Sequence, residues 1–564
     1  MLTVFIRQRV GRLAPLAACL LACLLVFTTS LAAEPRQLSL RFDAPRLPDG
    51  LTLSAFGREP SPRLLFGHLR LLDGHRGQRN AVAFDAPDDT AYTRLDVACR
   101  FRMRRGPEGW SLLLLDLVRY GDRGPAPRQA ATEAPNLPGC FAVGIDAYDP
   151  PTKNIFDLHG NVYGRPQREV SLHWNGRELV RRLSPVEFRD RKFHDLHLTL
   201  HYVTGGALVT LTLDGTAVYS DYFVPKMLPY PCRLALGGCT GGSPTSPPGT
   251  AVEIDDLSFR TSEPAGLVRR PVHLLAFTAG PFYSAHRFET HEVTFPHLPW
   301  PVGRIILTLT LGPGPGGYDP WDRSAAVYVW GDDGERYEIM RYITPYRRGY
   351  QWQVDVTDYQ SLLRGRRKMA ASVGTWQPAA AEPAKQKGWT VRVDLDFYPG
   401  QPRWQAFRVR NLWSGSPEYG NPEHPLDEFF SPRRLRLSPQ TERAKLKITV
   451  TGHGQHPATA NAAEFFPARR VVSVNGHRFE NVLWRTDCWL NPCRPQGGTW
   501  KFDRAGWCPG SVVRPWILDI TDLVQPGGEA LITYVPQPYV NKNRNKARAL
   551  HWIEVQLIEY RRVR

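Results

Sequence analysis

The feature that most constrains the fold is a repeated alternation of apolar and polar residues in short segments. In "HDLHLTLHYV", Leu196, Leu198, Leu200 and Tyr202 fall on one face of an extended chain. "TGG" then leads into "ALVTLTLDG", so the two segments predict a β-hairpin. The same period recurs in "EVSLHWNG", "AVEIDDLSF", "RIILTLTL", "AAVYVWGDDG", "WTVRVDLDFY", "KLKITVTG" and "HWIEVQLIEY". No long segment has a period of 3.6 residues, which predicts an all-β protein of sandwiches or jelly rolls.

The chain has 564 residues, enough for two to four domains. "TSEPAGLVRRP" follows a complete strand and reads as a linker, and "FYPGQPRWQAFRV" separates two later groups of strands. We therefore expect three sandwiches after an N-terminal leader. The predicted bounds are 1–32 for the leader and 35–262, 272–400 and 401–564 for the sandwiches.

The N-terminus is typical of a signal peptide. Arg7, Arg9 and Arg12 precede an apolar run, and Ser30 and Ala32 are small residues suited to a cleavage site. A membrane anchor and a lipoprotein are the alternatives. No later segment approaches the roughly 20 apolar residues of a membrane helix. We expect an exported protein, periplasmic or secreted, without a transmembrane anchor after processing, and a monomer.

The net charge of the whole chain is +17, and removal of the three leader arginines lowers it to about +14. The basic residues are spread along the chain and are not interleaved with aromatic residues on one element. That pattern argues against nucleic acid as a partner. It is typical of a basic exported protein near an anionic cell envelope.

Residues 35–262 resemble a concanavalin-like or legume-type lectin domain. The resemblance rests on "RFRMRRGPEGWSLLLLDL", "FAVGIDAYDPPTKN", "EVSLHWNG" and "RLALGGCTGG" with "EIDDLSF". It implies sugar binding and a calcium ion, which in these lectins is held by Asp, Asn and Asp in one loop. Asp146, Asn154 and Asp157 are the candidates here, but their spacing departs from the lectin pattern. A solvated polar loop is the alternative.

Three loops carry residues suited to sugar chemistry, because aromatic faces stack on sugar rings and carboxylates hold hydroxyls or water. "GGYDPWDRSAAVYV" contains Trp321, Asp322 and Arg323 in a loop before a strand. "TGHGQHPATANAAEFF" contains Glu464, together with histidines that we interpret as loop residues rather than ligands. "FDRAGWCPG" adds Arg504 and Trp507, as well as Cys508. The residues alone do not show that these loops meet.

Residues 290–560 resemble the peptide:N-glycosidase F family, secreted bacterial amidases built of two eight-stranded jelly rolls. Eight segments match in order: "THEVTFP", "YDPWDRSAAVYV", "YEIMRYITPY", "VDVTDYQSLLRG", "GTW", "AEFF", "CWLNP" and "DRAGWCPG". A short segment such as "WDR" or "GTW" alone is a weak signal. Eight collinear matches over about 270 residues identify a family relationship.

This resemblance implies roles for individual residues. Asp322 stands at the position of the family's essential aspartate, and Glu464 at that of its second important carboxylate. Substrate contacts are implied for the residues that match the family's arginine and tryptophan positions: Trp321, Arg323, Trp376, Arg504 and Trp507. The family's disulfide between "C-x-x-N-P" and "GWC" implies that Cys488 pairs with Cys508.

The sequence also departs from the family. A third acidic residue of the family, two positions before the counterpart of Trp376, is replaced by Gly374. Cys493 has no counterpart and is the candidate unpaired thiol, because an odd number of cysteines, seven, follows the leader. Two further pairs are candidates: Cys232 with Cys239, and Cys99 with Cys140.

The resemblance implies an amidase that cleaves the bond between N-acetylglucosamine and asparagine in N-linked glycoproteins or glycopeptides. No cofactor is required for that reaction. The alternative is a glycan-binding surface protein that keeps the cleft without turnover, which the loss at Gly374 favours. A glycosidase that uses Asp322 and Glu464 is a further alternative. Copper monooxygenases share the paired jelly rolls, but His453 and His456 are a poor start toward their ligand set.

Overall fold

The structure of the chain is a computed structural model. It describes residues 36–43, 46–104, 106, 108–147, 168–242, 249–266, 269–456 and 463–563. The predicted leader, Asn154 and Asp157 lie outside the described residues. Nearly all regular structure is β, as predicted.

The N-terminal part is a sandwich of two antiparallel sheets. Its strands are β1 (Arg36–Leu40), β2 (Leu51–Ala55), β3 (Arg63–Leu65), β4 (His68–Asp73), β5 (Arg79–Phe84), β6 (Tyr92–Met103), β7 (Gly109–Asp116), β8 (Phe141–Asp146), β9 (Glu169–Trp174), β10 (Arg177–Leu183), β11 (Phe193–Val203), β12 (Gly206–Leu213), β13 (Thr216–Pro225), β14 (Cys232–Cys239) and β15 (Ala251–Pro264). One sheet has the order β13-β12-β11-β6-β15-β4-β3, with β1 also paired to β15, and the other has β10-β9-β8-β7-β14-β5-β2. Side chains from both sheets share one hydrophobic core.

Local sequence explains these strands. Leu196, Leu198, Leu200 and Tyr202 of β11 are all buried, and β11 pairs with β12 as the predicted hairpin. In β7 the alternation is lost and almost every residue is buried. A second, smaller core of alanines and leucines covers the outer face of that sheet, so both faces of β7 are packed.

The next eight strands form a jelly roll. They are β16 (Val272–Phe282), β17 (Phe288–Thr294), β18 (Val302–Pro313), β19 (Ser324–Trp330), β20 (Arg336–Ile343), β21 (Tyr350–Asp355), β22 (Arg366–Val373) and β23 (Trp389–Pro399). The sheets are β16-β23-β18-β21 and β17-β22-β19-β20. Numbered from the first strand, these orders are 1-8-3-6 and 2-7-4-5, the order produced when a long hairpin folds across two sheets.

The last eight strands repeat this order. They are β24 (Trp404–Gly415), β25 (Arg433–Arg436), β26 (Arg443–His453), β27 (Ala468–Val474), β28 (His477–Leu483), β29 (Trp516–Asp519), β30 (Glu529–Pro536) and β31 (Leu550–Arg562). Their sheets are β24-β31-β26-β29 and β25-β30-β27-β28. The predicted fold class, a sandwich followed by two tandem jelly rolls, is confirmed.

The two jelly rolls pack side by side. Ala406, Val409, Ile558 and Tyr560 of the second jelly roll belong to the hydrophobic core of the first. Beneath the apolar contact, Arg341 of β20 donates to the carboxylate of Glu338 and, at 2.6 Å, to the backbone carbonyl of Trp552 on β31. A continuous face of β31 therefore lies against the first jelly roll.

Helix is scarce in the described residues. The described part of the chain contains two four-residue α-helices, α1 (Leu117–Tyr120) and α2 (Leu426–Phe429). It also contains five short 3₁₀ turns, at Arg128–Ala130, Thr357–Tyr359, Pro383–Lys385, Cys488–Leu490 and Thr521–Leu523. None of these helices has the length and apolar character needed to cross a bilayer.

The cysteine predictions have mixed outcomes. Cys488 and Cys508 form a disulfide, and Cys493 is a buried free thiol, both as expected. The candidate pairs Cys232 with Cys239 and Cys99 with Cys140 are wrong, because all four are free. Cys232 and Cys239 are the two ends of β14, roughly 23 Å apart at the rise of a strand, whereas a disulfide needs Cα atoms within about 7 Å. Cys99 lies in the main core, and Cys140 lies in the small core on the outer face of the seven-stranded sheet.

Candidate active site

Most of the predicted site residues line a cleft of about 620 Å³ between the two jelly rolls. One wall comes from the outer face of β19, β20 and β22, and the other comes from β31 and from the loops that follow β26. Of the predicted residues, the cleft is lined by Asp322, Arg323, Trp376, Glu464 and Trp507, together with Gly374 and His453. The three chemically distinctive loops of the sequence therefore meet in one place.

A buried aspartate fixes the loop that carries Asp322. Asp319 is fully buried and accepts hydrogen bonds from Nε and Nη2 of Arg323, at 2.6 and 3.1 Å. The same carboxylate accepts from the hydroxyl of Thr375 at 2.5 Å and from the backbone N–H of Trp321 at 3.0 Å. Because Asp319 holds residues on both sides of Asp322 and on the segment after β22, the catalytic candidate is pinned at the mouth of the cleft.

Arg504 joins the two carboxylates. Its Nη1 lies 2.7 Å from Oε1 of Glu464 and 3.4 Å from Oδ2 of Asp322. Its Nη2 donates to the backbone carbonyl and the hydroxyl of Thr499, at 2.7 and 2.6 Å. The Arg504 side chain is about 1% exposed, whereas those of Asp322 and Glu464 are 14% and 18% exposed. The arginine is thus buried more deeply than the two carboxylates, both of which line the cleft.

Aromatic rings and the disulfide hold Arg504 in place. Its guanidinium carbon lies 4.5 Å from the ring centroid of Trp507 and 5.0 Å from that of Phe465. The Trp507 indole donates to the carbonyl of Gly452 at 2.7 Å. Cys508, the next residue, is bonded to Cys488. The disulfide therefore fastens the loop whose arginine and tryptophan form the base of the site.

Burial shifts both carboxylates toward the protonated form. Burial raises the pKa of Glu464 to about 7; the charge of Arg504 opposes this shift, and that of Asp322 adds to it. Burial also raises the pKa of Asp322, which Arg504 and a hydrogen bond from the hydroxyl of Tyr346 partly offset. Two carboxylates that share one guanidinium and differ in proton affinity are suited to opposite proton-transfer roles.

His453 is a neutral member of the cleft wall. It is the last residue of β26, and its ring stacks on Trp507 with centroids 5.3 Å apart. Its Nε2 lies 2.8 Å from the hydroxyl of Thr451. Burial and nearby positive charges lower its pKa to about 3, so it carries no charge at neutral pH. The prediction assigned His453 no ligand role, and here it supports the indole.

The remaining predicted contacts differ in position. Trp376 is 70% exposed at the rim, where Arg287 lies 4.1 Å from its ring centroid. Trp321 is 58% exposed and does not line the cleft. Gly374 lines the cleft, and a Cβ built there would meet only the carbonyl of Ser324, at 3.4 Å. The site has room for the side chain that the sequence lacks.

Sequence reasoning missed the residues that support the site. Asp319 and Thr375 lie inside two of the matched segments, since "YDPWDR" contains Asp319 and "GTW" contains Thr375. Tyr346, which bonds to Asp322, ends the matched segment "YEIMRYITPY", whereas Thr499, which bonds to Arg504, lies outside the matched segments. Only the folded chain brings them to the cleft.

The calcium candidates of the N-terminal sandwich are described only in part. Asp146 lies at the end of β8 with a carboxylate oxygen 4.0 Å from Nη1 of Arg181, an ion-pair distance. Asn154 and Asp157 lie outside the described residues. Nearby, Glu108, Glu133 and Cys239 bring their ligand atoms within 4.8 Å of one another, and the Cys239 thiol donates to Glu133 at 2.8 Å.

Known proteins resemble this chain mainly in its C-terminal half. Residues 425–556 match the family model described as "Peptide-N-glycosidase F, C terminal". The chain is 32% identical over 241 residues to peptide-N(4)-(N-acetyl-beta-D-glucosaminyl)asparagine amidase F of Elizabethkingia miricola. That match covers 40% of this chain and 66% of the relative, slightly less than two thirds of its length.

Two solved structures are also similar. PNGase F, a glycosylasparaginase from Flavobacterium meningosepticum, is 27% identical with a TM-score of 0.46, covering 52% of this chain and 97% of that one. The exoplasmic/lumenal domain of VIP36 bound to Ca²⁺ and Man3GlcNAc is 17% identical with a TM-score of 0.29, covering 40% of this chain and 90% of that one. By sequence, this chain is therefore similar to the peptide-N-glycosidase F family, and its residues 425–556 match the model of that family's C-terminal domain.

Proposed function

We propose that the protein is an exported amidase that hydrolyses the bond between N-acetylglucosamine and asparagine in N-linked glycoproteins or glycopeptides. The observation that carries the proposal is the pair of carboxylates, Asp322 and Glu464, held by one buried arginine in a cleft between two jelly rolls. Family resemblance supports the same reaction, since the relative from Elizabethkingia miricola is named for it.

Asp322 is the general base in this proposal. As a carboxylate it takes a proton from a water molecule, and the water oxygen attacks the side-chain carbonyl carbon of the substrate asparagine. Tyr346 and Arg504 hold the carboxylate at its place and stabilise its charged form. A positioned base of this kind contributes about 10²- to 10⁴-fold in rate.

Attack on the carbonyl creates an oxyanion that needs a donor. Nε and Nη2 of Arg323 are committed to Asp319, and among the described residues its Nη1 makes no hydrogen bond. We assign the oxyanion to this group, because a guanidinium fixed by a buried carboxylate needs no reorientation during the reaction. Arg504 keeps its role as the bridge between the two acids.

Glu464 protonates the leaving nitrogen. With a pKa of about 7 it holds its proton in a large fraction of molecules at neutral pH. When the carbon–nitrogen bond breaks, the proton passes to the nitrogen of the sugar, giving a glycosylamine and an aspartate in the peptide. The proton that Asp322 took from water replaces the one lost from Glu464, so the enzyme returns to its starting state. These steps use side chains of the chain alone, and we propose that catalysis needs no cofactor.

The loss of the family's third carboxylate does not remove any of these groups. Gly374 lies beside the pair, and its backbone N–H donates to the carbonyl of Ser324 at 2.8 Å. The cleft is thus intact at this position and lacks one acidic contact. We propose that this loss changes the strength of substrate binding and leaves the chemistry in place.

The N-terminal sandwich adds a second role in this proposal. Its sequence resembles sugar-binding lectins, and it is joined to the jelly rolls in one chain. A lectin-like module that binds glycan raises the local concentration of substrate at the cleft. We expect its removal to raise KM for glycoproteins more than for short glycopeptides.

A deglycosylation assay tests the function directly. The mature protein and the Asp322→Asn variant are incubated with a denatured N-glycoprotein, and the peptides are scored by mass spectrometry for conversion of asparagine to aspartate. We expect conversion by the native chain and a loss of about 10³-fold or more in the variant, as when a base is removed from an otherwise intact site.

The matched control is Asp427→Asn, which changes an exposed aspartate of α2 and should leave the rate unchanged. Absence of conversion by the native chain, with retention of the glycoprotein on immobilised protein, would show a glycan-binding protein instead of an amidase.

A further inference from the structure

A second cavity, of about 890 Å³, lies where all three domains meet. The N-terminal sandwich contributes β10 and the end of β13, and the first jelly roll contributes β21. The second jelly roll contributes two loops, which contain the 485–492 and 510–514 segments. This cavity is separate from the cleft, since no lining residue is shared between them.

Direct contacts fix the walls of this junction cavity. Arg177 of β10 donates to the backbone carbonyl and the side-chain oxygen of Gln351 on β21, at 3.3 and 3.1 Å. Arg494 of the second jelly roll lies 3.3 Å from Glu178 of β10. Trp489 of the wall directly follows Cys488 of the disulfide. The cavity is therefore built by the packing of the folded domains, and its volume falls in the range of small-ligand sites.

The walls carry more arginines than carboxylates. Arg485 and Arg514 share Asp487, at 2.9 and 2.7 Å. Asp487 is therefore held strongly in its charged form, with its pKa lowered to about 2 against the effect of its burial.

The arginines of β10 are paired unevenly. Arg181 pairs with Glu178, which Arg494 also contacts, with Glu169 and, at 4.0 Å, with Asp146. Arg177 and Arg182 have only neutral acceptors: Gln351 for the first and the carbonyl of Val218 for the second, at 2.8 Å. Among the described residues, neither of these two arginines lies within ion-pair distance of a carboxylate. The cavity is thus left with unbalanced positive charge at its sandwich wall.

The rest of the lining is aromatic and polar. Tyr222, Tyr350, Trp352 and Trp489 line the cavity beside the arginines. Tyr222 and Trp489 are partly exposed, as needed for a face that contacts a ligand. Rings next to fixed polar groups are what sugar rings require, because one face of a pyranose is apolar and its rim is covered with hydroxyls. An anion would satisfy Arg177 or Arg182 by charge-assisted hydrogen bonds.

We propose that the junction cavity is a second binding site, and that it takes an acidic oligosaccharide whose carboxylate pairs with an arginine of the sandwich wall, Arg177 or Arg182, while its rings contact Tyr222 and Trp489. This site is independent of the amide chemistry. It adds recognition of negatively charged sugars to a protein whose cleft holds the linkage region, and it exists only where all three domains are present.

Calorimetric titration of the full mature chain tests the proposal with 3′-sialyllactose, which has a carboxylate, and with lactose, which does not. We expect sialyllactose to bind and lactose to bind at least tenfold more weakly. Affinity for sialyllactose should fall about tenfold or more in the Arg177→Gln/Arg182→Gln variant and in Trp489→Ala, and it should weaken with added salt.

The control variant is Arg364→Gln/Arg434→Gln, which removes two exposed arginines that do not line the cavity and should bind normally. Asp322→Asn should also bind normally, so failure of the amidase proposal leaves this test intact. Thermal unfolding of each variant checks its fold. Arg182→Lys keeps the positive charge, so it should lose less affinity for sialyllactose than the Arg177→Gln/Arg182→Gln variant.

Three results would overturn the proposal: no binding of sialyllactose at millimolar concentration, equal binding of lactose, or an unchanged affinity in the double arginine variant. Equal or tighter binding of a triglutamate peptide would replace the acidic saccharide with an acidic peptide.

Discussion

At the scale of single residues, Gly374 stands where the resemblance to the peptide:N-glycosidase F family implies a third acidic residue. A Cβ there meets only one atom, at 3.4 Å, so a longer side chain can enter the cleft. We expect Gly374→Glu to strengthen substrate binding and to lower KM by about tenfold, the value of one charge-assisted hydrogen bond. Steady-state kinetics on a glycopeptide measures this change.

Gly374→Gln is the control for that substitution, since glutamine has the same shape without the charge and should give a smaller gain. An increase in KM in the glutamate variant would show that the empty position is an adaptation to a bulkier substrate.

Glu464 determines the alkaline side of the pH profile in the proposed mechanism. The acid must be protonated to release the nitrogen, so activity should fall as pH rises through about 7, the pKa that burial gives this group. The base Asp322 must be ionised, so activity should also fall at acidic pH, below its raised pKa. In Glu464→Gln we expect a rate lower by about 10²-fold or more, with the alkaline decline removed. An unchanged alkaline limb in that variant would assign the acid to another group.

At the scale of elements, the disulfide is the part of the site whose role can be separated from the chemistry. It closes a segment with a sequence separation of 20 residues, which corresponds to about 3 kcal/mol of stability in the chain-entropy view. We expect Cys488→Ser/Cys508→Ser to lower the free energy of unfolding by about that amount and to reduce kcat/KM, because Trp507 and Arg504 lose their support. Denaturant unfolding and kinetics of the same preparation measure both effects.

Cys493→Ala provides a comparison within the same loop region, as it removes a buried free thiol. It should retain catalysis with a smaller loss of stability. Equal stability of the double serine variant and the native chain would mean that packing alone holds the loop.

The strands could be predicted from the sequence more fully than the residues that hold the catalytic candidates in place. The alternation of apolar and polar residues in β11 and β12 predicted their hairpin, because one face of each strand is buried. In β7 the alternation is absent, because a second core covers the other face of the sheet. The gathering of Asp322, Glu464 and Arg504 followed from family resemblance. The bridge through Arg504 joins loops 182 residues apart in sequence, and the bond from Thr375 to Asp319 joins residues 56 apart, which local pattern does not contain. The predicted disulfide between Cys232 and Cys239 was wrong because residues that are close in sequence lie far apart in space when they stand at the two ends of one extended strand.

At the scale of the whole molecule, buried histidines link stability to pH. Burial lowers the pKa of His551 to about 3, and its ring stacks on Tyr419 with centroids 4.2 Å apart. In the unfolded chain a histidine has a pKa near 6.5, so below that pH the unfolded state binds more protons than the folded state. We expect the free energy of unfolding to fall by about 1.4 kcal/mol per pH unit for such a group between about pH 6 and 4.

His551→Phe keeps a ring against Tyr419 and removes the titration, so its stability should decline less steeply on acidification. Chemical denaturation at several pH values measures the two slopes. His477→Phe, at an exposed position of β28, should leave the slope of the native chain unchanged. Equal slopes in the native chain and in His551→Phe would mean that His551 does not stay neutral in the folded protein.

The hydrophobic core that includes Ile558 and Tyr560 crosses from one jelly roll into the other, whereas the N-terminal sandwich has a core of its own. The second jelly roll also has a core of its own, and the apolar contact that it shares with the first couples the two. The cleft lies between these coupled jelly rolls, so the spacing of Asp322 and Glu464 depends on the cohesion of that apolar contact. A substitution far from the chemistry, on the buried face of β31, would then change the geometry of catalysis through the same contacts that maintain the fold.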